Sequence, residues 1–498
     1  MGLDVRYRST RDNGKILRAS QAIIQGLSED GGLFVPDIFP KLEVKPEQLA
    51  LMDYKEVAYE VMKLFFTDFS EEELKYCIER AYDSKFDTEE IAPLSYVDDT
   101  YYMELFHGKT IAFKDMALSI LPYLMTTSAK KNDVKEKIVI LTATSGDTGK
   151  AALAGFADVE GCGIVVFYPK GGVSNIQERQ MVTQKGANVK VVGINGNFDD
   201  AQTGVKKIFS DEAFKAELKQ MGYRFSSANS INIGRLIPQV AYYVYAYSRL
   251  VKEGKIAAGD PINFTVPTGN FGNILAGFYA KKIGIPVNKL ICASNENKVL
   301  FDFFETGVYD RNRDFILTTS PSMDILISSN LERLIYEITG ENADECKKLM
   351  NSLSGEGRYE ITPEMKAKCK DFVGGYATEE EVLERIHEIY DRTGYVMDTH
   401  TAVASFVYKM YAHDTGDKTT NVVVSTASPY KFTRSVMEAL EGKNEKEDDF
   451  VLIDRLSEMS GMPIPKAVEE IRNAEILHHT VCEKDGMKEE VRKFLEKL

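Results

Sequence analysis

The sequence predicts an α/β fold in which parallel strands alternate with helices. Strands that are apolar throughout are typical of parallel sheets buried on both faces, and ligands of such sheets bind beyond the carboxyl ends of the strands. Gly-rich loops follow two of the predicted strands. The runs that predict strands lie at 137–144 (KIVILTAT), 163–169 (GIVVFYP), 188–194 (NVKVVGI), 262–267 (INFTVP), 290–294 (LICAS) and 421–428 (NVVVSTAS).

Residues 1–95 are predicted to form a mainly helical region. Residues 54–66 have the apolar spacing of a helix with one buried face. The stretch 70–82 begins with Ser70 and carries Glu73 three positions later, a capping-box pattern typical of a helix start. From about residue 100 the strand–helix alternation takes over.

The composition is that of a globular protein with an acidic balance. Its 498 residues, 44% of them hydrophobic, are enough for two to four domains with a sizeable core. The net charge of −15 disfavours a nucleic-acid partner, because neutralising phosphates requires clustered Lys and Arg. A small anionic substrate is compatible with it, since one pocket can be positive on an acidic protein.

Cysteine usage and the polar start predict a cytoplasmic protein. The six cysteines are scattered without a CxxC pair, which is typical of free thiols in a reducing compartment. The start MGLDVRYRST lacks the apolar core of a signal peptide, and no run reaches the length of a membrane span. The histidines offer no evident set of metal ligands, so no metal and no membrane partner are expected.

Lys114 is the first candidate for chemistry. It follows Phe113 and precedes an apolar helix, at a predicted junction between a loop and a helix. A lysine that forms an imine must reach a cofactor aldehyde with a lowered pKa, and an inward position at such a junction suits that task. Taken alone, however, Lys114 is more simply explained as a surface lysine with a packed aliphatic stem.

Two Gly-rich loops offer anion sites between a strand and a helix. In TSGDTG (144–149), backbone N–H groups, hydroxyls and a helix N-terminus converge. This is not a nucleotide P-loop, because Thr144 stands at the place of the first glycine and Ala151 follows the lysine. GNFGN (269–273) exposes similar donors. Either loop alone is compatible with a tight turn, but together with Lys114 they indicate a phosphate-bearing cofactor and an anionic substrate.

Several segments in combination carry a family pattern. They run nearly from end to end of the chain: YRSTR (7–11), SQAIIQGLSEDGGLFVP (20–36), ELFHGKTIAFKD (104–115), LTATSGDTGKAA (141–152), NSINIGRL (229–236), VPTGNFGN (266–273), SPSMDILISSNLERL (320–334), DTHTAVA (398–404) and STASPYKF (425–432). The chain thereby resembles the threonine synthases, fold-type II enzymes that depend on pyridoxal 5'-phosphate (PLP), and most closely their long bacterial and fungal form.

The resemblance implies roles around the cofactor. Lys114 matches the lysine that carries PLP as a Schiff base. Thr426 matches the hydroxyl residue that faces the pyridine nitrogen, and Asp147 stands near the ring hydroxyl. The residues implied to surround the cofactor phosphate form the second loop: Gly269, Asn270, Phe271, Gly272 and Asn273.

The resemblance also implies substrate contacts. The first loop is expected to receive the substrate carboxylate and neighbouring groups through Thr144, Ser145 and Thr148. The segment expected to help bind the substrate phosphate contributes Asn229, Ser230, Asn232 and Arg235. Two positions depart from the family pattern. Lys109 replaces a proline and is either an added phosphate contact or, as we favour, an exposed loop lysine; Ser428 replaces a histidine, whose role stays open here.

As a member of this family, the chain is expected to convert O-phospho-L-homoserine and water to L-threonine and phosphate, as a monomer or homodimer. Four parts are expected: an N-terminal domain (1–95), a large α/β domain (96–135 and 245–440), a small α/β domain (136–244) and a C-terminal helical extension (441–498). Two rival interpretations stay open. One is another fold-type II enzyme, such as a threonine or serine dehydratase; the other is a catalytically silent relative that binds a phosphorylated ligand.

Overall fold

The computed structural model describes residues 3–144, 146–443 and 446–498, so Ser145 lies outside the described residues. Its strands are β1 (Tyr7–Ser9), β2 (Phe34–Pro36), β3 (Leu94–Val97), β4 (Thr100–Glu104), β5 (Lys137–Ala143), β6 (Cys162–Pro169), β7 (Val189–Ile194), β8 (Tyr223–Ser226), β9 (Ile262–Pro267), β10 (Val287–Ser294), β11 (Val308–Asp310), β12 (Arg358–Glu360), β13 (Phe372–Tyr376), β14 (Thr420–Ser425) and β15 (Val481–Cys482).

Helices cover both sheets and build the N-terminal region. They are α1 (Ala19–Gln25), α2 (Pro46–Leu49), α3 (Tyr54–Phe65), α4 (Glu71–Ala81), α5 (Lys114–Leu118), α6 (Leu121–Lys131), α7 (Asp147–Phe156), α8 (Asn175–Val182), α9 (Phe198–Ser210), α10 (Glu212–Gln220), α11 (Ile233–Lys252), α12 (Gly272–Ile283), α13 (Val299–Thr306), α14 (Leu331–Ile338), α15 (Ala343–Gly355), α16 (Pro363–Lys368), α17 (Glu379–Thr393), α18 (Thr399–Thr415), α19 (Thr433–Glu441), α20 (Asp449–Ser460), α21 (Lys466–Arg472) and α22 (Met487–Leu495). Short 3-10 helices lie at Pro321–Met323, Pro429–Phe432 and Lys484–Gly486.

Two separate sheets form the α/β part of the chain. The larger has the order β13-β10-β9-β14-β4-β3, and all its neighbours are parallel except the hairpin β3–β4. The smaller has the order β15-β7-β6-β5-β8 and is parallel throughout. β6 and β9 are buried at every position, as continuous apolar runs predict for strands covered on both faces.

The N-terminal region is mainly helical, with the antiparallel pair β1–β2 added to helices α1 to α4. The predicted cap at α4 is present: Glu73 N donates to Ser70 Oγ at 3.2 Å, and Ser70 N donates to Glu73 Oε2 at 2.8 Å. The region packs on the core through α3, which lies against α11. The predicted border between residues 244 and 245 falls inside α11, and the four domain borders remain predictions.

The C-terminal extension packs on its own chain at two places. The helices α20 and α21 add Leu452, Ile453 and Val468 to the core beside α19. Further on, the short strand β15 joins the edge of the smaller sheet beside β7, and α22 packs on the same domain. The extension is therefore helical with one added strand, which had no sequence signal. None of the described helices is long and apolar enough to cross a membrane.

Candidate active site

Lys114 is the first residue of α5, reached from β4 through a loop that pairs with the end of β14. In that pairing, Phe113 N donates to Thr426 O at 2.8 Å, and Ser428 N donates to Ile111 O at 3.0 Å. The loop directs Lys114 inward, and the side chain is buried with an exposed fraction of 9%. An exposed surface lysine, the simpler interpretation of this residue from sequence, is therefore wrong.

The amine of Lys114 lies among polar groups from the parts of the chain that carry the two sheets. Its Nζ lies 3.6 Å from Asp147 Oδ2 and donates a hydrogen bond to Ser322 Oγ at 3.4 Å. Burial lowers the pKa of Lys114, and the charges of Lys431 and Arg235 lower it further, whereas Asp147 opposes the shift. The environment thus favours the neutral amine more than water does.

Asp147 begins α7, beside the smaller sheet, and contacts residues from the part of the chain that carries the larger sheet. Its Oδ1 lies 3.2 Å from Lys431 Nζ and accepts a hydrogen bond from Gln177 Nε2 at 3.0 Å. Its Oδ2 accepts one from Ser322 Oγ at 2.7 Å. Burial alone would raise the pKa of Asp147, but Lys431 and Lys114 together hold it far below its ordinary value. The carboxylate is charged, and both of its oxygens have hydrogen-bonding or ionic partners.

The first Gly-rich loop is shaped by the hydroxyl of Thr144. This Oγ1 accepts hydrogen bonds from Gly146 N and Gly149 N, both at 2.9 Å. A side chain on Gly149 would clash, because its Cβ would lie 2.4 Å from Thr144 Cγ2. Thr148 is half-buried. The loop is a tight turn at a helix start, and its predicted anion site and the substrate contacts of Thr144, Ser145 and Thr148 stay predictions.

The second loop joins β9 to α12 and requires an unusual backbone. Phe271 adopts a left-handed conformation with φ of 64°, and Gly272 and Asn273 start the helix. Asn273 Oδ1 accepts hydrogen bonds from the hydroxyls of Tyr242 and Tyr243, each at 2.7 Å. Among the described residues, its Nδ2 is buried without a partner. A buried N–H donor without a partner at a helix N-terminus fits a bound phosphate.

In the segment at the start of α11, Asn232 caps the helix and Arg235 supplies a cation. Asn232 Oδ1 accepts from Gly234 N at 2.9 Å, and its Nδ2 donates to Ile23 O and Ser227 O at 3.0 Å. Both amide hydrogens are thus used, so the expected phosphate contact of Asn232 finds no free donor. Asn229 is exposed, and Ser230 is half-buried.

Arg235 keeps a buried donor available. Its NH1 donates to Ala228 O at 2.9 Å, whereas its Nε has no partner within the described ranges of the chain. Burial lowers the pKa of Arg235 to about 10. A buried guanidinium without a carboxylate partner is costly unless an anion completes it. This residue therefore suits a phosphate group.

Sequence reasoning missed a network that joins both segments predicted to bind phosphates to the N-terminal region. Asn330 donates to Asn270 O from its N and its Nδ2, both at 3.0 Å. Arg333 bonds Asn330 Oδ1 and donates to Ile231 O at 2.6 Å and to Phe34 O at 2.9 Å. The motif SSNLERL (328–334) is part of the family pattern, but its sequence does not predict these contacts.

Two further buried lysines were also missed. Lys431 donates to Thr110 O at 2.7 Å in addition to its ion pair with Asp147. Lys150 donates to Gln184 Oε1 at 2.6 Å, and burial together with the charge of Lys431 lowers its pKa to about 7. With Lys114 and Arg235, they make this acidic protein locally cationic, as an anionic ligand requires. Lys109 is exposed, as favoured, and Ser428 Oγ accepts from Tyr430 N at 3.3 Å.

Comparison with known proteins agrees with this site along the whole chain. Residues 6–82 match the model of the threonine synthase N terminus, residues 95–427 that of pyridoxal-phosphate-dependent enzymes, and residues 401–481 the threonine synthase C-terminal model. A threonine synthase of Eremothecium gossypii is 37% identical over 94% of this chain and 96% of its own length. The chain belongs to the threonine synthase family.

Solved structures agree with this membership. PLP-bound threonine synthase from Brucella melitensis has a TM-score of 0.87 at 33% identity, covering 98% of this chain and 99% of its own. Yeast threonine synthase has a TM-score of 0.88 at 32% identity, covering 99% of both chains. The predicted fold-type II architecture, the resemblance and the cofactor PLP are confirmed.

A second group of relatives is longer than this chain. The human protein named threonine synthase-like 1 is 39% identical over 94% of this chain, and a protein of that name from Macaca fascicularis is 39% identical over 96%. The chain spans only 64% and 66% of the lengths of these two relatives, respectively.

Proposed function

We propose that this protein converts O-phospho-L-homoserine and water to L-threonine and phosphate, the last step of threonine biosynthesis, with PLP held on Lys114. The observation that carries the proposal is the buried amine of Lys114, which lies beside Asp147 at 3.6 Å between two anion loops. We place the enzyme in the cytoplasm as a monomer or homodimer. It acts on a small-molecule substrate without a nucleic-acid or membrane partner, in keeping with the net charge of −15.

The residues present fit the cofactor. The loop from Gly269 to Asn273 would hold its phosphate, with the unpartnered Nδ2 of Asn273 as one donor. Thr426, buried after β14, would face the pyridine nitrogen, and Asp147 would lie near the ring hydroxyl. When bound, PLP supplies an electron sink that stabilises negative charge on the substrate carbons next to the amine.

Lys114 is the proton carrier of the proposed reaction. Burial lowers its pKa, and the neighbouring cations lower it further, so more of the amine is neutral than in an ordinary lysine and can take a proton and return it. In the overall reaction, phosphate leaves Cγ and one hydrogen leaves Cβ. Cγ then gains a hydrogen, Cβ gains a hydroxyl from water, and the hydrogen at Cα is removed and returned.

Arg235 would hold the phosphate that leaves. A guanidinium can bond two phosphate oxygens at once and stabilises charge as it develops on the leaving group. Asn229 and Ser230 lie in the same segment and would add polar contacts. The substrate carboxylate would lie at the start of α7, where the helix end favours an anion, and Thr144, Ser145 and Thr148 are the residues that we expect to receive it.

The proposal is tested by assaying the purified protein for phosphate and threonine from phosphohomoserine, with and without added PLP. Equal amounts of both products, dependent on PLP and absent in Lys114→Ala, are expected. Ketoacid formation from threonine, with no phosphate released from phosphohomoserine, would instead identify a dehydratase. Binding of phosphohomoserine without either product would identify a silent relative.

A further inference from the structure

Ser322 contacts three parts of the candidate active site at once. It lies in the 3-10 helix Pro321–Met323, and its Oγ accepts a hydrogen bond from Lys114 Nζ and donates one to Asp147 Oδ2. Its carbonyl oxygen lies so close to the second loop that a Cβ on Gly269 would approach it to 2.8 Å. One serine thus joins the lysine, the carboxylate of α7 and the loop assigned to the cofactor phosphate.

A buried histidine accepts a hydrogen bond from the backbone of Ser322. The backbone N of Ser322 donates to His400 Nε2 at 3.1 Å, and His400 Nδ1 lies 2.8 Å from Asp398 Oδ2. Since an amide N–H can only donate, Nε2 must accept, so the proton of His400 is on Nδ1 and points to Asp398. The geometry therefore fixes one tautomer of this imidazole.

The pair Asp398–His400 is itself held rigidly. Asp398 is fully buried as the cap of α18 and accepts further bonds from His400 N, Thr401 N and Thr401 Oγ1. The imidazole of His400 packs on Phe432, with ring centroids 4.7 Å apart. Hydrogen bonds and packing thus fix the orientation of the His400 ring, as is needed for a residue that positions another group.

We propose that Ser322 is a positioning residue for Lys114 and Asp147, and that Asp398 and His400 act through it. The inference rests on the proposed function in taking Lys114 as the lysine that carries the cofactor. An amine that serves more than one substrate carbon must be directed, and displacements near 1 Å cost about 100-fold in rate. The hydroxyl of Ser322 accepts from one partner and donates to the other, so it fixes both.

Asp398→Asn separates positioning from packing. The asparagine keeps the size and the capping oxygen, but it offers an N–H to His400 Nδ1. The imidazole proton then moves to Nε2, where it faces the N–H of Ser322, donor against donor. The amide also loses the bond that Asp398 Oδ2 accepts from His400 N. No atom of the active site is removed, and the loss of the bond from Ser322 N to His400 Nε2 displaces Ser322.

The test compares PLP-loaded Ser322→Ala, Ser322→Thr, Asp398→Asn and the double variant Ser322→Ala/Asp398→Asn. Ser322 is half-buried, so we expect the extra methyl group of threonine to be tolerated. The matched control is Ser405→Ala, a buried serine of the same helix as His400 whose Oγ bonds Tyr102 and Arg385 instead. Readouts are the visible circular dichroism of the bound cofactor without substrate, and kcat and KM for phosphohomoserine.

Ser322→Ala and Asp398→Asn are expected to lose most of the dichroism and at least about ten-fold in kcat with little change in KM. Ser322→Thr should retain both signals, as should Ser405→Ala. The double variant should be no worse than Ser322→Ala, because Asp398 acts only through that hydroxyl. Unchanged dichroism and kcat in Asp398→Asn would overturn the proposal. This result would decide the question even if Ser322→Ala did not fold.

The outcomes also separate this inference from the proposed function. If the wild-type protein loads PLP on Lys114 but makes no threonine, and the variants still lose dichroism, the proposed reaction fails while the positioning role stands. If the wild type makes threonine and the variants are normal, only the positioning role fails.

Discussion

The Nζ atom of Lys431 lies 3.2 Å from Oδ1 of Asp147, and both side chains are buried. The pair joins the 3-10 helix after β14 to the first turn of α7, so it connects the two α/β sheets. Removing one member of a buried pair costs more than the pair itself contributes, because the other charge loses its nearest partner. Without Lys431, the cation left beside Asp147 is Lys114 at 3.6 Å.

Lys431→Met should therefore destabilise the protein strongly. The pKa of Asp147 should rise, since Lys431 is the larger of the two charges that lower it, and stability should fall by about 3 kcal/mol. Thermal unfolding measures the change. The matched control is Lys109→Met, an exposed lysine that should alter stability by no more than about 0.5 kcal/mol. Equal effects of the two variants would contradict the assignment.

Arg235→Ala should discriminate between ligands with and without a phosphate. The loss of a buried charged contact is expected to cost about 3 kcal/mol, or roughly 100-fold, in kcat/KM for phosphohomoserine. Binding of homoserine, followed by the absorbance of the bound cofactor, should change little.

The control for Arg235 lies in the same segment. Asn232→Ala should lower stability through loss of the helix cap, without altering the preference for the phosphorylated ligand. If Arg235→Ala weakened both ligands equally, its phosphate role would be lost. If Asn232→Ala weakened only phosphohomoserine, the original sequence assignment of Asn232 would be restored.

The lowered pKa of Lys150 predicts that the stability of the protein depends on pH. Its pKa is about 7 in the folded protein against an ordinary 10.5, so below pH 7 it is charged in both states and the folded protein carries the cost of burial. Between these values the unfolded chain binds a proton that the folded chain does not, so stability rises with pH across that window.

Lys150→Met removes the cost of burying this charge. The variant should melt above the wild type at pH 6, and its advantage should shrink steadily as the pH is raised from 7 towards 10. Melting temperatures of the two proteins across this range give the measurement. A constant difference between them would show that the amine of Lys150 is not shifted.

Much of the fold was predictable because its signals are local. The apolar runs that became β5, β6 and β7 are buried strands with turns on either side, and the cap of α4 needs only Ser70 and Glu73. By contrast, β15 has two residues, too few for any periodicity, and only its place beside β7 makes it a strand.

In the candidate site, too, local features were predictable and long-range contacts were not. Lys114 and the two Gly-rich loops could be predicted as candidates because each lies within one short motif next to a helix start. Ser322 contacts Lys114 across 208 residues, and its turn has no periodic pattern, so only the tertiary fold brings them together. Asn232 is the opposite case: the resemblance implies a ligand role, whereas the structure shows its side-chain amide donating to two backbone carbonyls, so that role stays a prediction.

The most direct test of the account is to reduce the PLP-loaded protein with borohydride and locate the pyridoxyl group by peptide mass spectrometry. Lys150 is the informative competitor, since it is also buried with a pKa near the working range. We predict the label on the peptide that contains Lys114, and a folded but unlabelled protein for Lys114→Ala. A label on Lys150, or on any other lysine, would contradict the central claim.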